Sequence, residues 1–309
     1  MAANPPSMRN GAVWTHRGPV GRVAYVNGRY IRHDLAAVHI EDRGLQFADA
    51  VYEVFGVFGG RIFDEEEHVD RLVRSLREIA MPMPMAREPL KLVLRELARR
   101  NHIVDGLIYL QVTRGAVRRD HAVPSSSPRA TLILTARFAD PESVEQKRAG
   151  GVAVVTHSDQ RWARCDIKST GLLANVLAKT AAREAGAYEA WLIDREGHVT
   201  EGSSTTAWIV DRDGHLVTRD LDNAVLPGVT RKILTEVAAD AQIRIVERRF
   251  TSDEALQARE AFLTAATVGA LPIVQLDGKP IGDGRPGPIA RRLQDLYRRA
   301  ATLKAGGNV

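Results

Sequence analysis

Cysteine is nearly absent: Cys165 is the only one in 309 residues. No intrachain disulfide can form and no thiolate metal cluster can be assembled, and no metal site is expected. Long apolar runs are also missing, since no stretch approaches the roughly eighteen residues that a membrane-spanning helix needs. The opening Met1-Ala-Ala-Asn-Pro-Pro has neither the basic nor the apolar region of a secretory signal, so cytoplasmic residence without a membrane partner is the expectation. Repeats and low-complexity tracts are absent. The charge excess is only +5, and its basic residues lie at helical spacing in stretches such as 291–299 without an aromatic-basic RNA signature. No nucleic-acid partner is expected; any functional share of that charge suits small anions such as phosphates and carboxylates.

What is present fits a soluble globular chain, 44% hydrophobic and 26% charged, long enough for two domains. The first half reads as α+β. Strand pairs at 23–31 and 51–63 turn at Asn27-Gly28 and Gly59-Gly60. Amphipathic helices follow at 68–80 and 89–100, with apolar positions at Val69, Leu72, Leu76 and Ile79 in the first. Strands return at 106–113 and 129–138. Residues 141–151 carry Pro, two glycines and many polar groups, so they read as a linker between a smaller domain at 1–140 and a larger one at 152–309. In the second half, strands at 152–157, 189–194, 199–200, 205–210, 243–250 and 261–266 alternate with helices at 172–185, 231–241 and 252–257. A hairpin at Asp277-Gly278 precedes a terminal helix from Gly287. Residues 1–19 and 304–309 look disordered.

Lys168, in Asp166-Ile-Lys168, stands between a predicted strand and a predicted helix. Glu201, in Val199-Thr-Glu-Gly-Ser203, follows a strand and precedes small residues that let its carboxylate approach a ring. A lone lysine is usually a surface group, and a strand-end carboxylate usually faces solvent. Together, however, an amine that forms a Schiff base and a carboxylate that holds a pyridinium nitrogen are what a protein using pyridoxal phosphate must provide. Gly228-Val229-Thr230 precedes a helix, whose free N-terminal amides can bind phosphate. Tyr52 and Glu53 are neighbours in one strand and face opposite ways, so only one can face a ligand; Tyr52 is the expected one. Cys165 reads as a partly buried bystander.

In order along the chain, Phe47-Ala-Asp-Ala-Val-Tyr-Glu53, His68-Val-Asp-Arg71-Leu72, Asp166-Ile-Lys168, Asn175, Glu184-Ala-Gly-Ala187, Glu189-Ala, Val199-Thr-Glu-Gly-Ser203, Leu226-Pro-Gly-Val-Thr-Arg231 and Thr264-Ala-Ala-Thr267 resemble the motifs of the fold type IV pyridoxal phosphate enzymes. The resemblance runs from about Val23 to the Asp277-Gly278 turn. It implies two α/β domains with pyridoxal 5'-phosphate between them. It also implies that Lys168 is the Schiff-base and proton-carrying lysine, that Glu201 partners the ring nitrogen, and that Arg71, Val229, Thr230, Ala266 and Thr267 contact the phosphate.

Within that family, Thr113-Arg-Gly followed by Arg119-Asp-His121 resembles the carboxylate trap of D-amino-acid transaminases, with Tyr52 in the substrate site. The resemblance implies a homodimer in which Arg119 and His121 reach in from the neighbouring subunit. The implied reaction is D-alanine plus 2-oxoglutarate giving pyruvate and D-glutamate. The alternatives are a branched-chain L-amino-acid aminotransferase, an (R)-amine transaminase and an aminodeoxychorismate lyase. A non-enzymatic binding role is disfavoured because Lys168, Glu201 and Arg71 are all present.

Overall fold

The computed structural model describes residues 21–125 and 128–306, with side chains as far as residue 300. The expected flexible segment 1–19 therefore lies outside the described residues.

Strands β1 (Val23–Val26) and β2 (Arg29–Arg32) form the predicted hairpin, with Asn27 at φ 47° and Gly28 at φ 93°, the left-handed pair that a type I′ turn requires. A short helix α1 (Arg43–Phe47) leads into β3 (Ala50–Phe58) and β4 (Arg61–Ile62). Helices α2 (Glu65–Glu78) and α3 (Arg87–Arg100) precede β5 (Gly106–Thr113) and β6 (Thr131–Phe138). The six strands form one antiparallel sheet in the order β2-β1-β6-β5-β3-β4. One face of it packs Val51, Phe55, Ile108 and Leu110 against Val69, Leu72 and Leu76 of α2 and Leu90, Leu94 and Leu97 of α3. The 3.6-residue stripes of the helices meet the two-residue period of the strands, and the other face is left for a second layer.

Residues 141–151, the expected linker, are mostly helical. They form helix α4 (Pro141–Gly150), because Asp140 caps it by accepting from the amides of Glu142 and Ser143 and Pro141 occupies the first turn. Pro and Gly at these two places punctuate a helix's ends rather than a loop.

The second half builds β7 (Val152–Ser158), α5 (Leu173–Glu184), β8 (Glu189–Ile193), β9 (Val199–Gly202), β10 (Thr206–Val210) and β11 (Leu216–Thr218). Then come α6 (Val229–Asp240), β12 (Ile245–Glu247), α7 (Ser252–Gln257), β13 (Glu260–Ala265), β14 (Gly269–Leu276), β15 (Lys279–Pro280) and α8 (Pro288–Gly306). Nine strands make a mixed sheet, β12-β11-β10-β13-β14-β7-β8-β9, with β15 on β14. The end strand β9 is joined to β10, third from the opposite end, by residues 203–205 alone, so the sheet must curl back on itself. Its interior holds Trp191, Leu263, Leu271 and Phe250.

Two expectations are corrected. The strand placed at 243–250 is only Ile245–Glu247, an edge strand paired to β11 alone. The terminal helix continues through Gly306, since Ala, Leu and Lys there are good helix formers; residues 307–309 lie outside the described residues. Among the described residues no helix is long and apolar enough to cross a membrane.

Candidate active site

A cleft of about 520 Å³ lies between the free face of the antiparallel sheet and the mouth of the curled sheet. Tyr52 of β3, Lys168 of the crossover from β7 to α5, Glu201 of β9, Val229 and Thr230 at the start of α6, and Ala266 and Thr267 between β13 and β14 all line it, as does Arg71 of α2. The residues expected from sequence to hold the cofactor are thus brought to one place.

The Lys168 segment belongs to the second half of the chain but docks on β3. The Lys168 carbonyl accepts from the Tyr52 amide at 3.0 Å and the Thr170 amide donates to the Ala50 carbonyl at 3.1 Å. Asp166 accepts from Arg74 at 2.7 Å and from Arg164 at 2.9 Å, while Ile167 inserts into the first core. With its two predecessors pinned in a turn closed by the Ile167 amide on the Arg164 carbonyl at 3.1 Å, Lys168 lines the cleft, where Nζ stands 4.3 Å from the Tyr52 ring centroid.

Glu201 is buried and accepts from Arg161 and from the Leu226 amide at 3.3 and 3.2 Å. Burial pushes its carboxyl up, against the opposing pull of Arg161, the Leu226 amide and Lys168. Arg161 is itself fixed by Asp159, at 3.0 Å through Nε and 2.7 Å through Nη2, and by the Ala224 carbonyl at 2.9 Å. Thr200 donates to the same Asp159 at 2.8 Å. One carboxylate is thereby held in the cleft wall with a guanidinium behind it.

At the other end, Arg71 donates from Nε and Nη2 to Glu53, each at 2.8 Å, and from Nη1 to the Pro227 carbonyl at 3.1 Å. The last contact ties it to the loop entering α6. The first amides of that helix have no intrahelical acceptor and no side chain caps them, Gly228 being the cap residue. A Cβ at Gly228 would stand 2.9 Å from Thr206 Oγ1, and one at Gly56 would stand 2.6 Å from the Ala266 carbonyl. Only glycine allows these walls to close. Uncapped helix amides beside a fixed guanidinium suit a phosphate dianion, and the buried carboxylate and the free amine suit the ring nitrogen and aldehyde of pyridoxal phosphate. The residues present fit that group.

Tyr52 faces the cleft and stacks on Tyr109 with centroids 5.7 Å apart. Glu53 points the other way, as alternation requires, yet it positions Arg71. Cys165, expected as a bystander, also lines the cleft; burial pushes its thiol up to about 11, and its Sγ donates to the Trp162 carbonyl at 3.1 Å. Arg119 and His121 do not line the cleft of their own chain. Both rest on Phe47: the Arg119 guanidinium carbon lies 5.0 Å from its ring centroid, and the His121 ring centroid 5.3 Å. Arg43 donates to the carbonyls of Asp120 at 2.6 Å and His121 at 3.2 Å. They do face one side, but on bends rather than an extended segment.

Sequence reasoning misses Asp159 and Arg161 around Glu201, and it meets Thr200, Leu226 and His68 only inside motifs, without the contacts they make here. Arg161 is an ordinary loop arginine in sequence; its partner Glu201 lies 40 residues away.

The Amino-transferase class IV family model matches residues 50–276. The chain is similar to a D-alanine aminotransferase of Bacillus licheniformis, 39% identical over 268 residues, 87% of this chain and 93% of that one. A D-alanine aminotransferase of Listeria monocytogenes is 38% identical over 282 residues, 91% and 96% of the two chains. Among solved structures, a T.th. branched-chain amino acid aminotransferase with pyridoxamine 5'-phosphate has a TM-score of 0.83 at 28% identity, covering 93% of this chain and 96% of that one. The Escherichia coli branched-chain enzyme reaches 0.86 at 23% identity over 93% and 97%, a likeness of fold. The α+β architecture, the cleft and these matches agree: the chain belongs to the class IV aminotransferases, a family of pyridoxal phosphate enzymes.

Proposed function

We propose that this enzyme transfers the amino group of a D-amino acid, D-alanine first, to 2-oxoglutarate, giving pyruvate and D-glutamate in two half-reactions. The observation that carries the reading is the Arg119 and His121 pair, set together on Phe47 outside its own cleft, in a chain 39% identical to a D-alanine aminotransferase. A guanidinium and an imidazole presented together can clamp a carboxylate.

Bound pyridoxal phosphate supplies an electron sink for negative charge at the substrate α-carbon. Lys168 Nζ, 4.3 Å from the Tyr52 ring centroid, would take the proton from the α-carbon of the amino donor in one half-reaction and would give a proton to the α-carbon of the product in the other. Glu201, backed by Arg161, holds positive charge at the ring nitrogen. Arg71, the amides of Val229 and Thr230, and the turn at Ala266 and Thr267 hold the phosphate. Arg119 and His121 fix the α-carboxylate and so decide which face of the α-carbon meets Lys168.

Their outward placement supports a homodimer in which each cleft is completed by the neighbouring subunit. The stripe Leu173, Val176 and Leu177 on α5, at 73%, 55% and 52% exposure, supplies apolar surface for such pairing. A lone free cysteine suits a reducing compartment, so cytoplasmic residence belongs to the same reading. The boundary between the two domains is proposed at α4.

The test is the absorbance of the purified holoenzyme after adding D-alanine, L-leucine or (R)-1-phenylethylamine separately, without a keto acid. Conversion of the pyridoxal to the pyridoxamine form with D-alanine alone is expected. Conversion only with L-leucine or with the amine overturns the substrate reading, and pyruvate released without an acceptor from an aminodeoxychorismate substrate would assign a lyase.

A further inference from the structure

We propose that Arg22 and Arg137 form a subsite for the distal carboxylate of a dicarboxylic substrate at the mouth of the cleft. The inference rests on the D-amino-acid transamination reading and names the substrate class that the same site prefers as acceptor.

The antiparallel sheet sets the geometry. In register, Val54 lies beside Tyr109 and Tyr109 beside Thr135; in the next row Gly56 lies beside Leu107 and Leu107 beside Arg137. Side chains alternate along each strand, so Tyr52, Val54, Leu107, Tyr109, Thr135 and Arg137 share the face that looks into the cleft. Strand β1 pairs with β6 through Tyr25 opposite Leu134 and Val26 opposite Ile133. Extended by three residues beyond its observed pairs, that register would set Arg22, which precedes β1, opposite Arg137, and Arg22 Nη2 does donate to the adjacent Ala136 carbonyl at 2.8 Å. Arg22 lines the same cleft.

Two like charges set opposite each other across a strand pair repel. Among the described residues neither guanidinium has a carboxylate partner. The carboxylates nearest in function are committed elsewhere: Glu201 to Arg161, Glu53 to Arg71, and Asp34 to Arg32. Close by, the Tyr109 hydroxyl donates to Gln111 at 2.8 Å, and burial together with Tyr52 pushes its pKa up to about 12, so it brings no negative charge. A pair of uncompensated guanidinium forks on the wall of a substrate cleft is built to receive an anion. Phosphate contacts belong to Arg71 and the α6 amides, and the α-carboxylate belongs to the Arg119 and His121 pair, which leaves the second carboxylate of 2-oxoglutarate or D-glutamate for Arg22 and Arg137.

The experiment compares the full-length holoenzyme with Arg22→Gln, Arg137→Gln and the double variant. Two quantities are read: KM for 2-oxoglutarate and D-glutamate against KM for pyruvate and D-alanine, and calorimetric affinity for glutarate against butyrate. Each single change is expected to weaken the dicarboxylates about tenfold and the double change about a hundredfold, as charge-assisted bonds of this kind do. The monocarboxylates are expected to stay within about twofold, within the scatter of such measurements. Equal weakening of both classes, or no change in either, overturns the subsite. The two readings fail separately. Loss of glutarate binding in an enzyme that ignores every D-amino acid would sink the transamination reading and leave the subsite. Rapid D-alanine turnover with unaltered glutarate affinity would do the reverse.

Discussion

Glu53 holds Arg71 through two hydrogen bonds of 2.8 Å, from Nε to Oε1 and from Nη2 to Oε2, with His68 Nδ1 on the same carboxylate at 2.8 Å. Glu53 is fully buried and the Arg71 side chain only 9% exposed. A guanidinium so fixed, with Nη1 also on the Pro227 carbonyl at 3.1 Å, is held in one orientation, so on the proposed reading its usefulness to a phosphate would depend on a carboxylate that never touches the ligand.

Replacing Glu53 with Gln should therefore weaken cofactor binding without removing any cofactor contact. Burial raises the Glu53 carboxyl, but the charge and hydrogen bonds of Arg71, with those of His68, overcome this and hold it well below the usual carboxylate range. Its folded pKa being depressed, its stabilising contribution is complete above the unfolded value and is lost as pH falls through the folded one. At neutral pH the variant should lose about 3 kcal/mol of stability, the cost of leaving one partner of a buried pair alone. That deficit should shrink once pH drops below about 4.3, where an unfolded glutamate takes up its proton. Urea unfolding on either side of that pH checks this, and a deficit independent of pH would contradict it.

The Arg161 and Glu201 contact gives the second prediction. Removing the guanidinium with Arg161→Leu should raise the Glu201 carboxyl further, since burial already pushes it up and Arg161 is the leading opposing influence. The acidic limb of the kcat profile for D-alanine should move to higher pH, while KM changes little. Glu201→Gln should lower kcat roughly 10²-fold at every pH, the scale on which a preorganised charge partner acts. If Arg161→Leu lowers kcat by one factor across the whole profile, its role is structural only.

Much of this is legible in the sequence for definite reasons. The hairpins at Asn27-Gly28 and Asp277-Gly278 are readable because few dipeptides adopt two left-handed residues in succession, and both pairs do so, Asp277 at φ 48° and Gly278 at φ 76°. That Lys168, Glu201 and Arg71 share one cleft is readable because the proposed chemistry demands those residue types. Arg161 is not, because an arginine gains meaning only from a carboxylate 40 residues away. Glu53 is half readable: strand alternation turns it from the cleft correctly but says nothing of the helix waiting there. The helical state of 141–150 is not legible because Pro and Gly punctuate helices and loops alike, and only the Asp140 cap separates the two.

Lys168→Ala should remove the proton carrier and leave the fold. Its neighbours Asp166 and Ile167 keep their ion pairs and core contacts, so the thermal midpoint should shift little. Turnover of D-alanine should fall by roughly 10²–10⁴-fold, the range that general acid–base groups supply. Added methylamine should restore part of it by standing in for the missing base. A variant as active as the parent would remove Lys168 from the reaction.

Arg119 and His121 give the sharpest test of assembly. Arg119→Ala should raise KM for D-alanine by about tenfold or more, the strength of one charge-assisted bond. Whether the pair serves its own cleft or a neighbour's follows from mixing two chains that are each impaired at low D-alanine. Let one carry Lys168→Ala and the other Arg119→Ala, refold them together, and isolate the hybrid dimer by differential tags. If each chain's pair completes the other chain's cleft, one site in the hybrid collects both lesions and the other has none, so half of the parental activity returns at low D-alanine. If the pair serves its own chain, both sites keep one lesion and the hybrid shows no more activity than the average of the two separate variants. The seat of the loop, with Arg43 on the carbonyls of Asp120 and His121 and Phe47 beneath both side chains, holds the pair away from the lining of its own cleft, and the proposed homodimer therefore expects recovery.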